Sequence, residues 1–529
     1  MTVLLEQSGN PRAARTYAWW AAIAGEPRGL DPQRVRPDIA ADLERAFDDS
    51  AAEWWAIARA LGETRSAAFA HAPAAAANVS DFGVMLAWTR LVERWAQEPR
   101  ATLAICDDPY LFRHLAARPG VHAGRPPAIW PRALKLWLRG ACARLAACLR
   151  FARAALMMRG DRSKARGGGA WLLVYGHPAS MPNGMDGYFG DLMQGVRGMA
   201  RVLHIDCPPR RARTLAGART VSLHGFGNPL AALGLVFTRW RPRKSELSGP
   251  HGWLIRRAAA LEGGTAQPAA VRWQMLCQSA WLRAVKPVVV AWPWENHGWE
   301  RTFVRAARAA GVRTVGYQHS VIGRQMLNYA PHSAPDGAAC LPDRILCAGE
   351  STRRRLLAWG VDAQRMDVGG ALRFVEAAAP AHDPAAPVFL ALPFDPRIAR
   401  EMVATAQAAN GGRAFLVKDH PMTPFGFTES ARVRRTVDPF GRQASVSAVI
   451  YAATTVGLES ILAGLPTLRF RPRGTVALDI LPDGIDVPTV DAASIDGALA
   501  APPPPPHLDR ASVFAPVDMD LWRRHLEAA

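Results

Sequence analysis

Histidine and acidic side chains follow two successive strands that we predict in the middle of the chain, at residues 288–292 and 312–318. They are Glu295, His297, Glu300, His319 and, a little further on, Arg324. The carboxyl ends of parallel strands meet at one edge of a sheet, so these side chains are expected to lie together. A carboxylate or an imidazole at that edge is suited to taking a proton from a hydroxyl and to holding a polar substrate.

A second group of polar residues indicates phosphate binding. Lys418 and His420 follow a predicted strand at 414–418, while Thr454 and Thr455 open a helix directly after a buried strand at 448–450. The amides of a helix N-terminus attract anions, and a Lys and a His can pair with a phosphate and protonate its leaving oxygen. The alternatives are an ordinary capped helix and a solvated turn.

The elements that must position these residues form two α/β alternations, which predict parallel sheets. An Ala- and Pro-rich linker at 376–387 separates the two alternations. The first contains strands predicted at 171–175, 202–205, 220–223, 288–292, 312–318 and 344–347, and the second begins at 388 and includes 414–418, 448–450 and 467–470.

A Gly- and Pro-rich loop follows the first of these strands, at residues 176–192. Such a loop lies at the carboxyl end of a strand, where open α/β sheets bind ligands. Asp186 in this loop is a candidate catalytic base. The alternative is a capping residue, because an acidic side chain just before a helix commonly accepts bonds from the backbone.

The first 100 residues are predicted to be helical, with Ala-rich segments and several tryptophans. We interpret the tryptophans as core residues, since they occur on segments with helical periodicity. They are Trp19, Trp20, Trp54, Trp55, Trp88 and Trp95.

A long amphipathic helix is predicted at residues 130–159, with Pro131 in its first turn. One stripe of this helix is basic and another is apolar. The basic stripe contains Arg132, Lys135, Arg139, Arg150 and Arg153, and the apolar stripe contains Trp130, Leu134, Trp137, Leu145 and Leu156. Such a helix can lie in a lipid interface; the alternative is an apolar face packed on the protein core.

The length, charge and cysteine content of the chain limit which kinds of partner it can bind. The chain has 529 residues and a net charge of +19, which implies more than one core and an anionic partner. We find no nucleic-acid-binding motif and no metal-ligand spacing, so phosphorylated substrates and lipid head groups are favoured. Seven scattered cysteines, the lack of a signal peptide and the lack of a long apolar run predict a cytoplasmic protein, with peripheral attachment to a membrane as an option.

Four short motifs, in this order and spacing, resemble those of bacterial surface-carbohydrate glycosyltransferases of the GT-B architecture. They are GYQHS at 316–320, GGALRF at 369–374, KDHP at 418–421 and TTVGLES at 454–460. The resemblance is closest to capsule and O-antigen transferases, to Kdo and sialic-acid transferases that use CMP-sugars, and to CDP-glycerol glycerophosphotransferases. ENHGWER at 295–301 also resembles an uncharacterised surface-carbohydrate group.

The resemblance implies roles for individual residues. His319 would hold the acceptor or act as its base, with Glu295 or Asp186 as alternatives, and His420 would stabilise the leaving nucleotide. The residues that bind the donor or another part of the substrate would be Lys418, Thr454, Thr455, Gly457, Glu459, Ser460, Arg373, Arg324 and His297. Retaining enzymes of this architecture often carry a Glu-x7-Glu pair, whose first position is Tyr451 here, which favours inversion.

The resemblance therefore predicts an α/β fold with two Rossmann-like parallel-sheet domains facing across a cleft. The predicted parts are a helical extension at 1–100, an acceptor domain at 101–380, a nucleotide-sugar domain at 387–500, and a Pro-rich spacer with a closing helix at 501–529. The predicted activity is inverting sugar transfer from a CMP- or other NDP-sugar to a polysaccharide or lipid-linked saccharide, with no metal and no cofactor. The alternatives are a sugar-nucleotide epimerase of the same fold and a non-catalytic assembly factor.

Overall fold

The computed structural model describes residues 3–9, 17–27, 29–62, 70–77, 79–373 and 379–527. The first sheet of the protein has four parallel strands in the order β2-β3-β1-β4. The strands are β1 (Val3–Glu6), β2 (Trp19–Ala24), β3 (Thr102–Cys106) and β4 (Val121–Ala123), and the helices are α1 (Ile39–Asp48), α2 (Ala51–Gly62), α3 (Phe82–Trp95) and α4 (Pro109–Ala116). Trp54, Trp88 and Trp95 are buried in its core, as predicted.

This first sheet differs from the helical extension predicted for residues 1–100. Helices α1, α2 and α3 are present, but β1 and β2 pair with β3 in one sheet. Because β3 begins at Thr102, a boundary at residue 100 divides the sheet, so that boundary is wrong. The apolar run WWAAIA of β2 has no alternation of polar residues, which is typical of a buried parallel strand and is easily mistaken for helix.

The second sheet has seven parallel strands in the order β11-β10-β9-β8-β5-β6-β7. The strands are β5 (Ala170–Val174), β6 (Ala200–Leu203), β7 (Thr220–Ser222), β8 (Val289–Pro293), β9 (Arg313–Gln318), β10 (Arg344–Cys347) and β11 (Met366–Val368). The chain moves outward from β5 in one direction and from β8 in the other. The carboxyl ends of β5 and β8 therefore form a topological switch point, where such sheets leave a crevice.

Ten helices accompany this sheet. They are α5 (Ile129–Met158), α6 (Asp161–Lys164), α7 (Leu192–Gly195), α8 (Pro209–Thr214), α9 (Pro229–Gly234), α10 (Lys244–Ser248), α11 (Gly252–Gly263), α12 (Gln267–Val285), α13 (Gly298–Ala309) and α14 (Glu350–Ala358). The strands are buried and rich in Val, Leu and Ile, because helices cover both faces of the sheet.

The third sheet repeats this plan with six parallel strands in the order β15-β14-β13-β17-β18-β19. The strands of this sheet are β13 (Val388–Ala391), β14 (Phe415–Lys418), β15 (Val433–Arg435), β17 (Val449–Tyr451), β18 (Thr467–Phe470) and β19 (Thr489–Val490). Two short strands, β12 (Ala381–His382) and β16 (Ser445–Val446), form a separate pair. The helices are α15 (Pro396–Ala408), α16 (Val456–Leu462) and α17 (Ile495–Ala500). Its switch point lies between β13 and β17. The predicted α/β fold class with two Rossmann-like parallel-sheet domains is confirmed.

The C-terminal segment returns from the third sheet to the second. It contains α18 (Arg510–Val513) and the closing helix α19 (Met519–Glu527). Trp522 of α19 is fully buried, and its Nε1 donates to the Gly369 carbonyl at 2.9 Å. Its ring packs edge-on against Tyr317 of β9, with the ring centroids 5.3 Å apart. The closing helix predicted after the Pro-rich spacer therefore stabilises the second sheet.

Part of the predicted linker at 376–387 lies outside the described residues, and Ala381–His382 of that segment pairs with β16. None of the helices in the described ranges is long and apolar enough to cross a bilayer.

Candidate functional site

Arg373 is near the carboxyl edges of both the second and the third sheet. Arg373 follows β11 of the second sheet, and its guanidinium lies 5.2 Å from the ring of Tyr188, in the loop after β5. Burial lowers the pKa of His319 and that of His420, and the charge of Arg373 lowers both further. These two histidines follow β9 and β14, so one exposed guanidinium acts on the carboxyl edges of both sheets.

Glu300 organises the loop after β8. It is fully buried in the first turn of α13, where its carboxylate accepts hydrogen bonds from Trp292 Nε1 at 2.8 Å, from the Glu295 amide at 2.8 Å and from the His297 amide at 2.6 Å. An acceptor in the first helical turn satisfies amides that the helix leaves unpaired. Burial, together with the charge of Glu295, raises the pKa of Glu300. Glu300 therefore fixes the backbone that presents Glu295 and His297.

Glu295 is the carboxylate that remains available to a ligand. Its side chain is 40% exposed, and its Oε2 lies 3.4 Å from His297 Nδ1. Burial by the surrounding loops raises the pKa of Glu295 to about 7, and the charge of Arg373 limits that rise. A carboxyl group that titrates near neutral pH can exchange a proton with a substrate hydroxyl efficiently.

His319 is less well suited to be a base. It is buried beside Tyr188, with the two ring centroids 4.8 Å apart, and no described residue bonds to its Nδ1. Burial, aided by the charges of Arg373 and His177, lowers its pKa to about 3. A neutral imidazole can accept or donate a hydrogen bond, but so low a pKa gives little driving force for taking a proton.

On the third sheet, Thr454, Thr455 and Glu459 are half-buried at the start of α16. Thr455 Oγ1 lies 3.4 Å from Glu459 Oε1. Burial raises the pKa of Glu459, whereas the hydroxyl of Thr455 and the charge of Arg373 oppose the rise. His420 lies two strands away in the sheet, after β14, and its ring is 5.7 Å from that of Phe394. The charge of Arg373 thus acts on both His420 and Glu459, which follow strands of the third sheet.

Four of the predicted site residues have other partners in the structure. Lys418 Nζ donates to the Val437 carbonyl at 2.6 Å. Arg324 pairs with Glu44, at 2.6 Å, and with Asp48 and Asp479. Ser460 is buried, donates to the Gly457 carbonyl and accepts from Thr467. A Cβ on Gly457 would lie 2.4 Å from the ring of Tyr451, so this glycine allows α16 to pack.

The carboxylate of Asp186 also has hydrogen-bond partners, all within its own loop. It is buried, and it accepts hydrogen bonds from Ser180 Oγ at 3.0 Å and from the amides of Tyr188 and Phe189 at 2.9 and 3.3 Å. These bonds hold the loop after β5 in shape. A structural role in this loop therefore fits Asp186 better than the role of base, although Asp186 caps no helix, since α7 begins at Leu192. Its contribution is to position Tyr188.

Two residues of this loop belong to the site but were not among the candidates. The ring of His177 lies 5.3 Å from that of Tyr188, and Tyr188 in turn contacts His319 and Arg373. Gly187 allows this arrangement, because a Cβ there would lie 2.1 Å from His177 Nδ1. The signal that could have found them is their position after β5, the first strand of a doubly wound sheet.

No group of three or more His, Cys, Asp or Glu side chains is placed to hold a metal ion within the described ranges.

No protein-family model matches the sequence, and no curated protein matches it. Solved structures with a related arrangement are GT-B fold enzymes, the class that the sequence motifs resemble. One is the Methanocaldococcus jannaschii UDP-GlcNAc 2-epimerase with UDP-GlcNAc and UDP, at 9% identity and TM-score 0.37, covering 65% of this chain and 97% of the other. Another is the lipopolysaccharide outer core galactosyltransferase WaaB, at 11% identity and TM-score 0.32, covering 68% of this chain and 94% of the other. A third is Anabaena HepE with UDP, at 10% identity and TM-score 0.33, covering 63% of this chain and 89% of the other.

Proposed function

We propose that this protein transfers a sugar from a nucleotide-activated donor to a saccharide hydroxyl, with inversion and without a metal ion. The observation that carries the proposal is Arg373, whose charge acts on Glu295 and His319 at the carboxyl edge of the second sheet and on His420 and Glu459 at that of the third. A cation shared by two facing crevices is suited to a reaction that joins a donor and an acceptor while a phosphate leaves.

The donor would bind on the third sheet. Thr454, Thr455 and the first amides of α16 would hold the phosphate, and Glu459 would meet the ribose. Arg373 and His420 would offset the negative charge that grows on the leaving phosphate. Interactions that strengthen as the bond breaks lower the barrier, whereas uniform binding does not.

The acceptor would bind on the second sheet. Glu295 would take the proton of the attacking hydroxyl, since its pKa of about 7 is better matched to neutral pH than that of His319. His319 and Tyr188 would orient the acceptor. Inversion requires attack from the face opposite the leaving group, so the acceptor would approach from the second sheet while the donor phosphate stays on the third.

The donor would be a CMP-sugar or another NDP-sugar, and the acceptor a capsule, O-antigen or other lipopolysaccharide saccharide, free or linked to a lipid. An acceptor linked to a lipid would lie at the inner face of the cytoplasmic membrane. The proposal therefore includes a cytoplasmic protein that attaches peripherally to that membrane.

The nucleotide site can be tested by thermal shift with CMP, CDP, UDP and GDP. A ligand at a hundred times its Kd adds about 2.7 kcal/mol to stability, which is readily measured. We expect a shift with one of these nucleotides, and we expect Thr455→Ala and His420→Ala to reduce it. Lys418→Ala is the matched control and should retain the shift, because Lys418 Nζ is bound by the Val437 carbonyl.

If no nucleotide shifts the wild type, or if the control loses as much as the two site variants, this donor site is wrong. A protein without nucleotide affinity would instead match a non-catalytic assembly factor. Incubation with the nucleotide-sugar alone separates transfer from epimerisation, since only an epimerase would convert it without an acceptor.

A further inference from the structure

Helix α5 exposes its apolar stripe instead of packing it on the core. Large apolar side chains on this stripe are between 45% and 70% exposed. They are Trp130, Leu134, Trp137, Leu138, Leu145, Leu149 and Leu156. The helix packs through a different set of small residues, which include Gly140, Ala147 and Ala155. Packing of the apolar face on the core, the alternative to a lipid interface, is therefore not what the structure shows.

Helix α9 extends this apolar surface. It packs along α5, with Ala232 in the same core cluster as Ala152 and Ala155. On its outer side Leu230 is 77% exposed, and Phe237, just after the helix, is 79% exposed. Contiguous apolar patches of this kind are rare on proteins that meet only water, and they mark surfaces that bind something.

The charges around the apolar stripe identify what it binds. Lys135, Arg139, Arg150 and Arg153 are exposed beside it. Residues 129–158 contain no Asp or Glu, and neither do residues 207–245, which include α9. An apolar stripe bordered only by cations complements an anionic lipid surface, with the rings and leucines among the acyl chains and the cations at the phosphates.

A groove beside α5 adds a recess for a head group. It has a volume of about 520 Å³, and Arg150, Arg153 and Arg210 line it together with Phe151 and Met157. An apolar floor with three guanidiniums suits a phosphate that carries an acyl chain. Asp206 also lines the groove and lies 3.1 Å from His204 Nδ1.

The groove is close to the candidate site. The ring of His204 lies 4.8 Å from that of Tyr175, and the ring of Tyr175 lies 5.9 Å from that of Tyr188. The packed side chains of His204 and Tyr175 therefore connect the groove to Tyr188 of the candidate site.

We propose that the exposed face of α5 and α9 docks on an anionic lipid bilayer. The proposal deepens the proposed function by naming the surface through which a membrane acceptor reaches the site. It can fail separately, because binding to vesicles needs no turnover.

The experiment is flotation of the full chain with vesicles of phosphatidylcholine, with and without phosphatidylglycerol. We expect binding to the anionic vesicles that weakens as salt is added. Changing Lys135, Arg139, Arg150 and Arg153 together to Gln should lower partitioning by at least about 100-fold, because each cation near an anionic surface contributes. Arg132 is left unchanged, since it pairs with Asp108 at 3.2 Å.

A matched control removes the same charge elsewhere. Arg354, Arg400, Arg434 and Arg442 are exposed, and changing all four to Gln should leave flotation close to that of the wild type. A third variant, Leu134→Ser with Trp137→Ser and Leu149→Ser, should lower binding while retaining every charge.

Three outcomes would overturn the proposal. The wild type does not float with anionic vesicles, the control quadruple variant loses as much binding as the α5 variant, or the serine variant floats undiminished. A dimer in light scattering that the serine variant dissociates would mean that a second copy of this chain covers the face, and it would overturn bilayer docking as well.

Discussion

Glu295→Gln should abolish sugar transfer while leaving the protein folded. A positioned general base contributes about 10²- to 10⁴-fold, so we expect kcat to fall by that factor once donor and acceptor are identified. The amide of Gln has the size of the carboxyl group and cannot take a proton at neutral pH. Product formation with a panel of activated sugars, followed by mass, is the measurement.

The pH dependence separates a base from a residue that only shapes the site. Glu295 must be ionised to act, so kcat/KM should rise with pH through about 7 and level off above it. The charge of Arg373 lowers the pKa of Glu295. Removing that charge by Arg373→Gln should therefore move the rising limb to higher pH, in addition to weakening the donor site.

Stability gives a second readout. The folded-state pKa of Glu295 is raised, so its ionised form opposes folding at neutral pH, and Glu295→Gln should leave the melting temperature unchanged or higher. Glu93→Gln is the control, because Glu93 is also 40% exposed and lies in α3, away from the cleft. If Glu295→Gln retains activity, or if Glu93→Gln loses as much, Glu295 is not the base.

The two larger sheets were predictable because their strands are short, apolar and regularly spaced. The predicted strand at 171–175 corresponds to Ala170–Val174, and the one at 467–470 to Thr467–Phe470. Strands buried on both faces have no polar alternation, so runs bounded by turns suffice to find them. The same criterion failed for Trp19–Ala24, because that run adjoins helical segments of similar composition.

The site was predictable only to the level of strand ends. Glu295, His319, His420 and Thr455 do follow carboxyl ends of strands, as the topology requires. Whether a side chain at such an end is available depends on contacts that the sequence does not show. Lys418 also lies at the end of a strand, where a phosphate-binding residue is expected, but its amine donates a hydrogen bond to the Val437 carbonyl.

Arg324 shows that a predicted site residue can be bound by a partner that is distant in the sequence. Its principal partner, Glu44, is 280 positions away in the sequence and belongs to the first sheet. Neither local pattern nor resemblance to a motif could assign that contact. The same applies to Asp186, because a capping carboxylate and a catalytic one have the same sequence environment before a helix.

The contact between Glu44 and Arg324 is part of a buried charge cluster that joins all three sheets. Glu44, in α1, accepts hydrogen bonds from Arg324 at 2.6 Å, from Arg469 of β18 at 2.8 Å and from Arg471 at 2.6 Å. Close by, a Cβ on Gly323 would lie 1.4 Å from the Asp479 carbonyl, so the backbones of the second and third domains touch there. The carboxylate of Glu44 balances cations from two other domains, together with Asp48 and Asp479, which also pair with Arg324.

Glu44→Ala should therefore destabilise the protein by about 3 kcal/mol, the lower end for a broken buried ion pair, because Asp479 still faces Arg469 and Arg324 after the change. Urea unfolding at neutral pH is the measurement. Asp520→Ala is the control: Asp520 pairs with Arg523, the two side chains are 79% and 46% exposed, and a surface pair contributes about 1 kcal/mol or less. Equal losses in the two variants would show that Glu44 does not hold the junction together.

The pH dependence gives the same cluster a second test. Burial opposes ionisation of Glu44, but the charges of Arg469, Arg471 and Arg324 more than offset it and hold the pKa of Glu44 below its usual value. A lowered folded-state pKa contributes stability that is present above the unfolded pKa, about 4.3, and is lost as pH falls through the folded value. The stability difference between wild type and Glu44→Ala should thus be constant near neutral pH and shrink in acid. A difference that grows as the pH falls would contradict this assignment, because it would require Glu44 to contribute most when it is protonated.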